Sequence, residues 1–407
     1  MTSRPRRRLL LDPAPLRHRG FRAVFVARTV SVFGLGFVLV AVPLQVFALT
    51  GSTAGVAGVT AAVGLSALVG TLGGGVLADR YDRRTVILLA RAGAGLGYAG
   101  LAAGALVPEP ALWAIYLCGV VDGLCGGISS TALMSATPQL VPKEQLAAAG
   151  ALMALMVNIG AVAAPALGGV LVAAGGFAAN YAVCTATAVV TVTSLLRLPP
   201  LPPEGGGEPA VRLLADGARF AVRDARVGPV LALGLVGMAT AGWTVLLPEY
   251  AADVLGAGPE LVGVLYAAPA VGALLGSLVS GWTGTVHGVG RALLGAALLA
   301  ALGMAAAGAV GAALPAAVAL AAFGLGRSSG DILRYAAVLE AAPDRLRGRV
   351  SAVWTAQVLG AAATGAATAA AVAAVVPTRW ALAVYGVMGI VLTALVATLP
   401  GLRRLRR

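Results

Sequence analysis

The sequence predicts an all-α integral membrane protein, with twelve transmembrane helices in two pseudo-symmetric six-helix bundles. Three observations predict it. Of 407 residues, 59% are hydrophobic and 11% are charged, whereas a soluble domain carries about 25% charged residues. Apolar runs long enough to cross about 30 Å of hydrocarbon recur along the whole chain. A Pro- and Gly-rich break, "LPPLPPEGGGEP" at 198–209, divides those runs six and six.

The runs fall at 21–49, 54–78, 85–107, 111–136, 145–173 and 177–198, then at 228–250, 260–284, 291–312, 314–338, 349–375 and 379–399. Each is long enough for a helix that crosses the bilayer. Stretches such as "GAAATGAATAAAVAAVV" (360–376) are only weakly hydrophobic, but small residues suit close helix packing in lipid. The halves echo one another: "ALVGTLGGG" (67–75) matches "ALLGSLVSG" (273–281), and "ATPQLV" (136–141) matches "AAPDRL" (341–346). A duplicated six-span unit is the architecture of secondary transporters, with a site near the midplane between the repeats. The expected organisation is a basic arm (1–20), a first bundle (21–198), a linker (199–227) carrying a short amphipathic helix, a second bundle (228–399) and a basic tail (400–407).

Charge placement sets the orientation. The formal net charge is +13, and Lys143 is the single lysine among 29 basic residues. If the runs alternate, one side holds the arm (Arg4, Arg6, Arg7, Arg8), the turn after run 2 (Arg80, Arg83, Arg84) and the break (Arg212, Arg219, Arg223, Arg226). The same side holds the turn after run 10 (Arg345, Arg347, Arg349) and the tail (Arg403, Arg404, Arg406, Arg407), while the other side has only Arg379. The positive-inside rule then makes both termini cytoplasmic. The basic balance serves topology and lipid contact, which argues against a nucleic-acid partner. A full-length run follows the basic arm, unlike the short segment of a signal peptide. Cys118, Cys125 and Cys184 lie within apolar runs without zinc-type spacing. The two histidines, His18 and His287, fall in cytoplasmic segments, so no metal site is expected.

The polar turn "GGGVLADRYDRR" (73–84) interrupts this pattern with Asp79, Arg80, Asp82, Arg83 and Arg84. Physically, Gly75 would let helix ends approach, Asp79 would pair with arginines or a helix N-terminus, and the arginines would sit at the headgroups. On charge alone, any short cytoplasmic turn is arginine-rich. The spacing of Gly75, Asp79, Arg80, Arg83 and Arg84 goes further, because it resembles the signature of the major facilitator superfamily. Asp82 stands where that signature has glycine. The resemblance implies a cytoplasmic gate latching the two bundles, and Thr285 in the corresponding second-half turn lacks the acid. "GAVAAPALGG" (160–169), with Gly160, Pro165, Gly168 and Gly169, resembles the helix 5 motif of proton-coupled exporters. Proline removes a backbone donor and the glycines permit a bend and close contact.

Further stretches, "FRAVFVARTVSVFGLGFVLVAVPLQVFALTGST" (21–53), "VILLARAGAGLGY" (86–98), "IYLCGVVDG" (115–123), "TALMSATPQLV" (131–141) and "WTAQ" (354–357), are similar to the bacterial enterobactin (siderophore) exporter family. That resemblance implies proton-driven export of a siderophore or similar product across the inner membrane, through a cavity lined by spans 1, 4, 7 and 10.

A charge near the bilayer centre costs at least about 2.5 to 3.5 kcal/mol on insertion scales and marks function by default. Asp122 lies near the midplane of span 4, and Arg327 at similar depth in span 10, followed by Asp331 and Arg334. The repeat places Asp122 and Arg327 at symmetry-related points. Asp122 is expected to carry the coupling proton, with Arg327 pairing with it or holding an anionic substrate group. Alternatively Arg327 and Asp331, at i and i+4, neutralise each other. Trp243 and Tyr266 are aromatic cargo contacts or packing residues, Arg28 reads equally as an interfacial anchor or a site residue, and Glu249 as a loop residue.

"GLGYAG" (95–100) fits a dinucleotide fingerprint but follows no strand, and "GLGRSSG" (324–330) lacks the lysine of a phosphate cradle. No enzyme or self-contained ATP pump is expected. The reading is a monomeric, proton-coupled exporter of a small molecule, needing no cofactor beyond the proton gradient. Its rivals are a multidrug or macrolide efflux antiporter and a transport-inactive membrane receptor or scaffold.

Overall fold

A computed structural model describes residues 12–136, 139–203, 210–224, 226–281, 286, 288–343 and 346–403. Arg4, Arg6, Arg7, Arg8, Thr285, His287, Arg345, Arg404, Arg406 and Arg407 lie outside the described residues, and so does most of the basic arm.

The elements follow the apolar runs: α1 (Arg19–Thr50), α2 (Thr53–Arg80), α3 (Arg83–Ala105), α4 (Leu112–Ala136) and α5 (Leu146–Leu195) precede the linker. After it come α6 (Ala210–Arg223), α7 (Val227–Ala239), α8 (Trp243–Asp253), α9 (Pro259–Leu278), α10 (Val289–Ala309), α11 (Ala313–Ala341), α12 (Arg347–Val375), α13 (Thr378–Ala397) and the short α14 (Pro400–Arg403). Among the described residues, ten helical segments are long and apolar enough to cross a membrane. Large apolar side chains such as Leu96, Trp113 and Val375 stay exposed on their outer faces. In water such a surface would aggregate, whereas in lipid it is satisfied. The chain is a multi-pass membrane protein.

Local chemistry ends the helices where the runs end. Gly51, at φ 60, terminates α1 in the left-handed conformation, and Ser52 caps α2 by accepting from the Ala54 amide at 3.2 Å. α5 spans 50 residues, about 75 Å of continuous helix. It is two legs meeting at Gly176, whose φ of 70 no side chain favours. Asn180 of the second leg donates to the Gly168 carbonyl of the first at 3.0 Å. The boundary between runs 5 and 6 is therefore a glycine reversal rather than a polar turn.

Run 7 departs from expectation in the other direction. Its helix breaks at Thr240–Gly242, dividing it into α7 and α8. The break is stitched from outside: the Tyr385 hydroxyl donates to the Ala239 carbonyl at 2.6 Å and accepts from the Gly242 amide at 2.9 Å, while Thr368 donates to Ala239 at 2.6 Å. A discontinuous helix is tolerated at membrane depth only where freed backbone groups find such partners. Glu249 lies in α8, not a loop, and accepts from the Thr378 hydroxyl.

Before the linker, α1 packs along α5, α2 on α4, and α3 on α4 and α5. After it, α11 packs on α9 and α10, α10 on α13, and α12 on α7. Contacts between the two sets run mainly through α5 with α9 and α2 with α12. The linker helix α6 docks on the start of α12, where Asp216 pairs with Arg349 at 3.3 Å.

Candidate functional site

Asp122 is 7% exposed. Helix α4 presents Gly119, Gly123 and Gly127 to α2, where side chains and backbone of α2 come too close for a Cβ. That face fixes the rotation of α4 and turns Asp122 toward α3, which approaches at Gly97. There Tyr98 and Arg91, both of α3, are the neighbours that act on the Asp122 carboxylate, one through its hydroxyl and the other through its charge. Arg91 in turn donates to Ser31 of α1, and Arg28 of α1 lies close enough to act on it electrostatically. The Arg91 Nε is buried with no hydrogen-bond partner. A void of about 10 Å³ beside it is lined by Ser31, Tyr98, Thr187 and Thr191. Cys184 of α5 completes the surroundings, its thiol 3.6 Å from the Gly34 carbonyl and from Asn180.

This geometry corrects the expected pairing. The polar neighbours of Asp122 are Tyr98 and Arg91, and no ion pair joins it to Arg327 among the described residues. Symmetry-related points on two halves need not face one another, and here each charge is turned toward helices of its own half. Arg91 and Tyr98 were missed although the signal was present. An arginine inside the apolar stretch "VILLARAGAGLGY" is as conspicuous as an aspartate in span 4, and positions 91 and 98 lie two turns apart on one helix face.

The second charge group lies beyond the linker. Arg334 is buried; it donates to Asp331 at 3.1 Å and to Gln357 at 3.2 Å, and stacks over Trp354 with 4.5 Å from guanidinium carbon to ring centroid. Gln357 donates onward to the Leu231 carbonyl of α7 at 2.9 Å. Asp331 is therefore neutralised by Arg334 at i+3, and not by Arg327 at i−4. Arg327, Asp331 and Arg334 all line a cavity of about 140 Å³ among α7, α10, α11, α12 and α13. Trp243 packs against Tyr266 and Phe323 at 5.8 Å each, so its ring serves packing.

The polar turn is built differently from its expected form. A Cβ on Gly75 would meet only Thr131 at 3.9 Å; the close approach of α2 to α4 is made instead at Gly70 and Gly74, against the α4 backbone. Arg83 is buried, its Nε 3.4 Å from the Ala78 carbonyl, and Arg84 donates to the Leu196 carbonyl at 2.8 Å. Asp79 and Arg80 are exposed. Asp82 caps α3, accepting from the Thr85 amide at 2.9 Å and from the Leu201 amide at 2.7 Å. Burial pushes its carboxyl up, but those two amides, the Thr85 hydroxyl and the Arg84 charge outweigh it and hold the group below its ordinary value.

A depressed carboxylate stabilises the folded form at neutral pH, and that contribution fades as pH falls through the lowered range. Replacing Asp82 with glycine is expected to cost about 1 kcal/mol through the lost cap and the Leu201 bond. The thermal midpoint in detergent should fall accordingly; an unchanged midpoint would contradict the capping role.

The helix 5 motif meets the other half directly. Pro165, through its carbonyl, and Gly169 abut Gly263 of α9, with no room for a Cβ on either glycine. Gly160 and Gly168 instead receive α1, at Val32 and Phe37.

A family model described as "Transmembrane secretion effector" matches residues 12–406. The chain belongs to that family. This secretion effector, a transporter of the major facilitator superfamily and not an enzyme, has curated relatives along nearly its full length. It is 39% identical over 399 residues to the enterobactin exporter EntS of Salmonella typhimurium, covering 96% of this chain and 94% of that one. To EntS of Escherichia coli O1:K1 / APEC it is 41% identical over 353 residues, 86% of this chain and 84% of the relative. Among solved structures it resembles a POT family transporter in complex with 5-aminolevulinic acid, at a TM-score of 0.77 and 14% identity, covering 95% and 97% of the two chains. It also resembles the nucleoside transporter NupG, at 0.76 and 12%, covering 93% and 98%. These likenesses give the secretion effector a transporter's fold.

Proposed function

We propose that this protein exports a siderophore-like small molecule from the cytoplasm by alternating access, coupled to proton entry. The cargo class rests on the two relatives named as enterobactin exporters. The coupling rests on one observation above all: a carboxylate buried in the first half, with Tyr98 and Arg91 as its polar neighbours. Protonating Asp122 would release Arg91 from its counter-charge, and the helices α1, α3 and α4 that share this network would respond.

In this reading the two legs of α5 and the charged α11 each cross the membrane alongside the other candidate spans, giving twelve crossings in two bundles, residues 21–198 and 228–399. The linker (199–227) and both termini are cytoplasmic in a cell inner membrane. The halves touch at Gly169 and Gly263, far from the arginine-rich turn, where Asp79 is exposed. That combination fits a state closed outside and open to the cytoplasm, with Asp79 and Arg80 free to latch the halves in the opposite state.

A strain lacking this gene is expected to accumulate an iron chelator inside the cell and to recover export when the gene is restored. Sensitivity to added drugs or macrolides without chelator build-up would favour a multidrug antiporter instead. A membrane receptor or scaffold would show neither.

A further inference from the structure

We infer that the cavity in the second half is a subsite for a single aromatic ring carrying one negative charge. The inference rests on reading the chain as an exporter and names the part of the cargo that this half receives.

Three observations carry it. The first is charge: Asp331 is neutralised by Arg334, whose other amino group is taken by Gln357. Arg327 lines the same cavity, is partly accessible and has no hydrogen-bond or ion-pair partner among the described residues. One positive charge is thus left over at membrane depth, where an unpaired charge is costly and a ligand anion would relieve the cost. The second is size. The cavity measures about 140 Å³, and an apolar cavity of about 150 Å³ holds one benzene. The third is lining: Phe323, Tyr385, Met238 and Met304 line the cavity, and aromatic and thioether side chains favour contact with a ring. The hydroxyls of Tyr385 and Thr240 are already committed to backbone carbonyls, at 2.6 Å and 2.8 Å. Arg327 is therefore the group left to meet the acidic oxygens. The cavity also adjoins the break in run 7 at Thr240, so filling it would bear on the hinge between α7 and α8.

A ring anion of this kind is an aryl carboxylate or a catechol-type phenolate. Titration calorimetry on the full chain in nanodiscs, with salicylate, catechol and neutral benzyl alcohol, separates the two and tests the site. We expect one or both acidic rings to bind at least about 10-fold more tightly than benzyl alcohol. Arg327→Gln should lose that advantage and leave benzyl alcohol unaffected, while Arg327→Lys keeps most of it. Ala297→Phe, which fills the cavity, should weaken all three ligands. Tighter salicylate assigns the carboxylate and tighter catechol the phenolate. Acidic rings binding no better than benzyl alcohol, or Arg327→Gln and Ala297→Phe both binding as wild type does, would overturn the subsite. Binding needs no proton gradient, so a protein that exports yet fails this test loses only the subsite. One that binds the rings yet exports nothing loses the export reading.

Discussion

Asp122→Asn is expected to abolish proton-dependent export while the protein still reaches the membrane. Asparagine keeps the shape but cannot take up a proton. One proton entering down 100 mV supplies about 2.3 kcal/mol, equivalent to a concentration ratio on the order of 40; without a titrating group that ratio should fall to about 1. The substitution also removes the negative charge that acts on Arg91, at some cost in stability. Membrane expression and the thermal midpoint therefore need to be measured alongside transport. Asp122→Glu, which retains the proton site, should recover part of the gradient-driven export. Full export in Asp122→Asn would remove this residue from the coupling step.

The second large effect is expected at the contact between the halves. A side chain on Gly169 would overlap the Pro259 carbonyl and come within 2.9 Å of the Gly263 Cα, and both obstacles are backbone that cannot rotate away. Overpacking of this kind costs about 1 to 3 kcal/mol, which shifts a two-state balance by about 5- to 150-fold. Gly169→Val should therefore hold the outer ends of the first leg of α5 and of α9 apart and slow export by a similar factor. A spin-label pair on those outer ends reads the change directly, as a longer distance population in the variant. An unchanged distance distribution would show that this contact does not close the pathway.

The apolar runs, the break between them and the buried acid were legible in the sequence because each depends on composition and length alone. What the sequence did not reveal depends on rotation and on partners remote in the chain. Asp122 and Arg327 align in the repeat, but the stripe of Gly119, Gly123 and Gly127 faces α2 and turns Asp122 to α3. That stripe was readable at i+4 spacing and would have pointed to Arg91. The break in run 7 has no proline at its centre; it depends on Tyr385 and Thr368, more than 120 residues away, to receive the freed backbone. Asp82 looked like a flaw in a glycine-bearing signature. It is a cap, because the chain after α5 returns to place the Leu201 amide beside it.

The most direct test of proton-coupled export uses purified protein in inside-out vesicles with an acidic interior and an iron-free siderophore outside. The proton gradient should drive the siderophore into the lumen, a protonophore should collapse the accumulation, and Asp122→Asn should show none beyond equilibration. Accumulation that persists with the gradient dissipated, or that survives in Asp122→Asn, would contradict the account.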